Sequence, residues 1–451
     1  MPFAGTTRVT LEPMWQPLWL RRTFLALVLA LAGCASPAQD VRSLTILHTN
    51  DLHARFLPDD NQQGGFAHLA TAIQREKARS EATLVLNGGD LVQGTPVSTI
   101  FEGVPVFEVA NRLGFDVNTL GNHEFDYGWK KIPEFFAAAE FPTVSANVVD
   151  GSGNLLAEQA YVIREVNGIR IAIIGALTVD LPKLTIKERR EPWKALPVAE
   201  TVQRYARQLR GQVDLILMLS HLFDYEEDEV LKNVPEIDAI ISGHNHGGQQ
   251  EVKDVDGRIC VKVRAYGREL GRLDLRVDVP AKKIVSYNWQ RIPIDARTIP
   301  PDQAVATLVE EWEAKVTDVV DVPIGVSKKA FARQELQSLI EQVMRETTNA
   351  DLAYMNLGGI RDALPQGQLL ARHVWNIMPF DNLIVTGKVR GKQIPEEAAR
   401  GRQIDPEKEY RFVTNNFIAG QWEDLGLEFP ETGPLIRDVF IDWIKEKKVI
   451  E

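Results

Sequence analysis

Residues 44–53 read Leu44-Thr45-Ile46-Leu47-His48-Thr49-Asn50-Asp51-Leu52-His53. A short apolar run that turns polar and ends on a carboxylate and an imidazole reads as a strand delivering Asp51 and His53 at its exit. The event recurs. Thr83-Leu84-Val85-Leu86 leads to Gly89-Asp90, Leu215-Ile216-Leu217-Met218-Leu219 to Ser220-His221, and Ile237-Asp238-Ala239-Ile240-Ile241 to Gly243-His244-Asn245-His246. Helical patterns at 66–80, 104–113, 131–140 and 198–210 separate several of these runs, and Ile171-Ala172-Ile173-Ile174 adds another strand. Such alternation is α/β and puts the chemistry where strands end.

Five polar signatures follow in order: Asp51-Leu52-His53, Gly89-Asp90, Gly121-Asn122-His123-Glu124, Ser220-His221 and Gly243-His244-Asn245-His246. They hold five of the eight histidines. Carboxylate oxygens mixed with imidazole nitrogens suit Mn, Zn or Fe, whereas calcium takes oxygen alone. No cysteine accompanies them, which argues against a structural zinc knot. A single Asp-x-His is an ordinary strand end, but five signatures together demand a chemical reason. His48 in the first strand, His68 at a helix start and His373 further on read as structural.

These motifs resemble the calcineurin-like metallophosphoesterases, and the layout over 42–451 resembles the bacterial 5′-nucleotidase/UDP-sugar hydrolase family. The resemblance implies a metallophosphoesterase αββα sandwich over 42–297, an interdomain helix over 298–320, and a smaller α/β (α+β) substrate-binding domain over 321–451. It further implies that Asp51, His53, Asp90 and His246 hold one divalent ion, and Asp90, Asn122, His221 and His244 a second, with Asp90 bridging. A carboxylate has two oxygens and can span ions about 3.5–4 Å apart. A water or hydroxide between the ions would attack phosphorus in line, with His123, oriented by Asp126, donating to the departing or equatorial oxygen.

In the second domain Asn356-Leu357-Gly358-Gly359-Ile360-Arg361 resembles the family's anion-contacting loop, and Met378-Pro379-Phe380-Asp381-Asn382 its base-stacking segment. Asn416-Phe417 resembles the source of the second ring. The implied substrate residues are Arg361, Phe380, Asn382 and Phe417, the two rings sandwiching a base at about 1–3 kcal/mol per stacked base. This chain departs from its relatives after Phe417, where the ribose-binding carboxylate is Glu423, Asp424 or absent, and upstream, where Lys329 and Arg333 are the candidates to replace a phosphate-contacting arginine and neither aligns cleanly with it.

The chain has 451 residues, 44% hydrophobic and 25% charged, with formal charge −11. These values are those of a soluble globular protein, and no dense Lys/Arg stripe suggests a nucleic-acid polymer as partner. Nor is a protein partner evident. After Arg21-Arg22 an apolar run of 11 residues ends at Cys34. It is too short to span a bilayer but suits a signal segment over 1–33. Leu31-Ala32-Gly33-Cys34 resembles a lipobox, predicting a membrane-anchored periplasmic or surface lipoprotein lipidated at Cys34; the paired arginines also resemble a twin-arginine signal. Without 1–33 the charge is near −13, because Arg8, Arg21, Arg22 and Glu12 go. Cys260 then has no partner for an internal disulfide.

The leading expectation is an exported phosphatase acting on nucleoside 5′-monophosphates. A 2′,3′-cyclic phosphodiesterase, a nucleotide-sugar pyrophosphatase and a thiosulfohydrolase of the same superfamily are alternatives. A silent nucleotide- or partner-binding lipoprotein is another of a different class.

Overall fold

A computed structural model of the chain describes residues 40–451, together with Gly5. The export segment expected over 1–33 and the lipid-bearing Cys34 lie outside the described residues. Two six-stranded sheets form the first unit. One runs, in spatial order, Lys283–Pro293, Glu269–Asp278, Val41–Thr49, Thr83–Asn87, Val117–Thr119 and Thr143–Val144. The other runs Lys253–Val255, Arg258–Val261, Ala239–Ile241, Leu215–His221, Ile169–Leu177 and Tyr161–Val166.

Alternation along the strands explains why the sheets stack. Leu44, Ile46, Leu84 and Leu86 face Ile171, Ile173, Leu215 and Leu217 in a shared core. Leu47 and Val85, one residue out of phase, bury against Leu69, Ile73 and Phe107 in a helical layer. On the far side Ala172, Ile174, Ile216 and Met218 pack against Val202, Ala206 and Leu209. These inner strands are covered on both faces, hence their continuous apolar sequences. The result is the expected αββα sandwich.

Because Val41–Thr49, Thr83–Asn87 and Val117–Thr119 are parallel, and Leu215–His221 is parallel to Ala239–Ile241, the exits bearing the five signatures gather at one end. One reading of the strands needs correction. The alternation of inward and outward positions over residues 255–293 predicts antiparallel strands, yet Arg258–Val261 pairs in parallel with Ala239–Ile241 on one edge and antiparallel with Lys253–Val255 on the other. Ile259 and Val261 face the inter-sheet core while Cys260 faces the outer helices. This two-sided burial belongs to an inner strand, and the Glu269–Asp278 and Lys283–Pro293 ladder is antiparallel as expected.

The helix read as interdomain, Gln303–Ala314, packs on the first unit. Asp302 caps it by accepting from Val305 N at 3.0 Å and from Gln74 at 2.9 Å. Val305 and Val309 enter the same core as Leu69. Beyond it, a four-stranded sheet of Leu352–Ala353, Glu409–Asn415, Leu383–Arg390 and Glu431–Leu435 and a three-stranded sheet centred on Pro323–Ser327 carry the second unit. Helices Arg333–Thr348 and Ile436–Lys447 close its core through Leu336, Ile340, Phe440 and Ile444.

Candidate metal centre and substrate cavity

At the gathered strand ends the polar side chains converge. Asp51, His53 and His246 form one group whose ligand atoms lie within 4.8 Å of one another, Asp90, His221 and His244 another, and His53, Asp90 and His123 a third between them. His221 Nε2 lies 3.0 Å from Asp90 Oδ2 and 3.8 Å from Asp51 Oδ1. His53 Nε2 lies 3.8 Å from Asp90 Oδ2 and 3.0 Å from His246 Nε2. Asp90 thus stands between the two outer groups.

Backbone geometry makes this possible. Asp51, His53, Asp90 and His244 all have positive φ, at 52°, 48°, 52° and 73°. Non-glycine residues rarely occupy that region, and the cost, about 1–3 kcal/mol each, is borne where function needs it. Gly121 is required for another reason: a Cβ there would lie 2.0 Å from Asp90 Oδ1 and 2.5 Å from Asp90 N. Gly121→Ala is therefore expected to displace Asp90, lowering bound metal by elemental analysis and turnover by at least about tenfold; a variant with full metal content would contradict this.

The donor chemistry fits divalent cations. His221 Nδ1 donates to Gly88 O at 2.7 Å, which leaves Nε2 as the nitrogen facing Asp90, yet that buried atom makes no hydrogen bond. Asn122 Oδ1 is buried without a partner too. The Nε2 atoms of His53 and His246 lie 3.0 Å apart, and the buried Nδ1 of His53 makes no hydrogen bond. Burial lowers His221, but Asp90 and Asp51 outweigh it and push it up to about 10. Burial, and then the Arg361 charge, bring His246 down to about 2, while burial chiefly brings His244 to about 3. His244 and His246 are therefore neutral donors, the form metal ligation requires, whereas His221, held between two carboxylates, would give up its proton on binding a cation.

His123 is differently placed. Its Nδ1 lies 2.6 Å from Asp126 Oδ2, and its backbone N donates to Asp90 Oδ1 at 2.9 Å. Burial lowers it, but Asp126 and Asp90 outweigh that and raise its pKa. The ring borders a cavity of about 460 Å³ shared between the two units. From the second unit Arg361 brings Nη2 to 3.5 Å from His246 Nε2, and its guanidinium lies 5.8 Å from the Phe380 ring. Phe380 is itself 5.7 Å from the His123 ring. Asn382 and Phe417 line the same cavity. All the substrate residues expected from sequence therefore border one space.

Other expectations resolve differently. Glu423 and Asp424 are exposed and outside the cavity lining, in the turn after Trp422, whose ring joins Tyr354 and Phe412 in a core. Lys329 bonds Glu335 at 3.0 Å, whereas Arg333 donates to Leu357 O at 2.8 Å beside the Arg361 charge. His48 accepts from Trp289 Nε1 at 3.0 Å, His68 meets Ile299 O at 2.6 Å, and His373 accepts from Leu370 N at 3.0 Å. Those three make structural contacts, apart from the metal-ligand groups.

Two positioning residues escaped the sequence reading. Glu124 accepts from the backbone N of Gly121 at 2.6 Å, Leu91 at 2.8 Å and Asp90 at 3.2 Å, locking the two ligand turns together. Burial, then the Asp90 charge, push it up to about 7. The Tyr266 hydroxyl meets His246 Nδ1 at 3.1 Å, and its ring lies between the guanidiniums of Arg55 and Arg268. Second partners of this kind orient a metal-ligating imidazole. Glu124 lay inside a motif already singled out; Tyr266 carried no local signal.

Comparison with known proteins agrees with this geometry. Residues 44–248 match the family model for calcineurin-like phosphoesterases, and residues 315–397 that for the 5′-nucleotidase C-terminal domain. The chain belongs to the calcineurin-like phosphoesterases that carry a 5′-nucleotidase C-terminal domain. This phosphoesterase is 27% identical over 446 residues to a 5′-nucleotidase of Vibrio cholerae, covering 84% of this chain and 81% of that one. It is 26% identical over 482 residues to endonuclease YhcR of Bacillus subtilis, covering 89% of this chain but only 39% of that longer protein. Among solved structures, a 5′-nucleotidase precursor from Thermus thermophilus shares the fold with a TM-score of 0.82 at 24% identity, covering 91% of this chain and 97% of that one. The phosphoesterase is a phosphoric ester hydrolase. Arg361, Phe380 and Asn382 fall inside the C-terminal match, and Phe417 falls beyond it.

Proposed function

We propose that the protein hydrolyses nucleoside 5′-monophosphates to nucleoside and phosphate, as an exported lipoprotein anchored through Cys34. The observation that carries this reading is the meeting, in one cavity, of the carboxylate–imidazole cluster from the first unit with Arg361, Phe380, Asn382 and Phe417 from the second. Asp51, His53, Asp90 and His246 would hold one divalent ion and Asp90, Asn122, His221 and His244 the other, Mn, Zn or Fe by donor type. Such ions would supply positive charge against the phosphoryl oxygens and make water acidic enough to react near neutral pH.

The chain's own groups do the rest. Arg361, next to the cluster, offers a two-pronged donor to phosphoryl oxygens. Water adds to phosphorus on the face opposite the ester oxygen, the P–O bond to the nucleoside breaks, and the nucleoside oxygen takes a proton. His123 is the donor at that oxygen or at an equatorial one, because its Nδ1 is engaged by Asp126 at 2.6 Å and its Nε2 is free to face the cavity. Phe380 and Phe417 give the base apolar faces, and Asn382 a polar edge.

A substrate panel with Mn²⁺ decides among the related hydrolases. AMP is expected to exceed bis(p-nitrophenyl) phosphate and UDP-glucose in kcat/KM by at least about tenfold, one or two stacking and hydrogen-bonding contacts' worth of discrimination. The reverse order would make the protein a diesterase or nucleotide-sugar pyrophosphatase. Fewer than two transition-metal ions per chain with no phosphate released would make it a silent binding module.

A further inference from the structure

Phe380 is half-buried at the edge of the cavity, and the chain on either side of it is held from both units. From the first unit, in the short helix Pro96–Ile100, the Thr99 hydroxyl donates to Pro379 O at 3.1 Å. Thr99 is 7% exposed and Pro379 is buried, so bulk water does not compete for that carbonyl. Proline fixes its own φ, which leaves the direction of its C=O as the one soft backbone angle before Phe380. The Thr99 bond sets that angle.

From the second unit the grip comes from Arg437. Its Nη2 donates to Asp381 Oδ1 at 2.7 Å and its Nη1 to Met378 O at 3.4 Å, while Ile436 N donates to Asn382 O at 3.0 Å. Arg437 is 3% exposed in the first turn of helix Ile436–Lys447, where the helix dipole opposes a cation. Its contacts account for its place there. The guanidinium lies 3.7 Å from the centre of the Trp375 ring, and Trp375 packs against the cores of both units. The helix that carries Thr99 also reaches the proton donor's side: Ser98 Oγ lies 3.0 Å from the Tyr127 hydroxyl, one residue beyond Asp126.

We infer that Thr99 and Arg437 are positioning residues for the base-stacking ring, fixing the segment 378–382 so that Phe380 stands against His123 and substrates carrying a base are preferred. Neither residue borders the cavity, so both act through Phe380. The inference rests on the nucleotidase reading and gives the metal-bearing unit a part in substrate choice. A joint that only held the units together would act on Arg361 too, and hence on every phosphomonoester. A grip on Phe380 acts on those with a base.

The test measures kcat and KM for AMP and for ribose 5-phosphate, the same ester without its base, with Mn²⁺-loaded wild type, Thr99→Val, Thr99→Ser and Arg437→Lys. Thr99→Val keeps the shape and removes the donor. Its kcat/KM for AMP is expected to fall about fivefold relative to that for ribose 5-phosphate, mainly through KM, as the loss of one hydrogen bond implies. Thr99→Ser should restore the wild-type ratio. Arg437→Lys keeps the charge but loses the fork to Met378 and Asp381, and should shift the ratio the same way by a larger factor. Circular dichroism and metal content identify a misfolded variant, in which case Thr99→Ala replaces Thr99→Val. Equal loss on both substrates, no loss on either, or failure of Thr99→Ser to restore the ratio overturns the positioning role while the nucleotidase reading stands. Wild type that cleaves ribose 5-phosphate as well as AMP removes the base clamp and this inference with it. Wild type that cleaves neither removes the nucleotidase reading as well.

Discussion

Asp90→Asn is expected to lose turnover by about 10³-fold or more and to lose bound metal at both positions, because the several kcal/mol of charge stabilisation that cations supply disappears with the group between them. The geometry concentrates this effect on one residue. Asp90 Oδ2 lies 3.0 Å from His221 Nε2 and 3.8 Å from His53 Nε2, while Oδ1 accepts from His123 N. Burial raises Asp90, but His221 and His123 outweigh it and keep it ionised, well below the carboxylate range. An amide keeps the shape and removes the charge. Elemental analysis and phosphate release read the outcome together. Retention of two ions per chain by Asp90→Asn would end the proposal of a shared carboxylate.

His123→Ala carries the second large effect, with a different signature. Turnover is expected to fall about 10²–10⁴-fold, the usual contribution of a positioned acid or base, with metal content unchanged. His123 lies near Asp90 and His53, so its ring alone could be mistaken for a ligand. Its Nδ1, however, is committed to Asp126 at 2.6 Å, and Asp126→Asn should lower kcat in the same direction by a smaller factor. The decisive readout is a substrate whose leaving group needs no proton, such as p-nitrophenyl phosphate. Loss of activity should shrink on it. Equal loss on AMP and on the activated ester, or loss of metal from His123→Ala, would remove the proton-donor role.

The candidate metal cluster was legible because its parts announce themselves locally. Each apolar strand ends in a polar signature, and strand exits in a parallel sheet point one way, so Asp51, Asp90, His221 and His246 could be grouped before any coordinates. The cavity wall at 181–190 was not legible. Lys183, Thr185 and Arg189 stand in an ordinary polar loop, and nothing in their spacing tells a solvated surface from a cavity lining. The parallel placement of Arg258–Val261 was hidden for a related reason: a short buried run does not declare whether its neighbour runs with it or against it.

Periodicity and residue chemistry determined, without coordinates, the α/β architecture, the order of the strand exits and the ligand types offered there, because those depend on neighbours within a few residues. Only the tertiary structure decided that Arg361 meets His246, that Phe380 lies against His123, that Glu124 ties the Asp90 turn to the Gly121 turn, and that Thr185 and Arg189 share their cavity. Those pairings join residues far apart in the chain or depend on how a turn folds back. They are settled by how distant segments pack, across the two units for Arg361 and Phe380 and within the first for Glu124, and no local pattern of side chains encodes that.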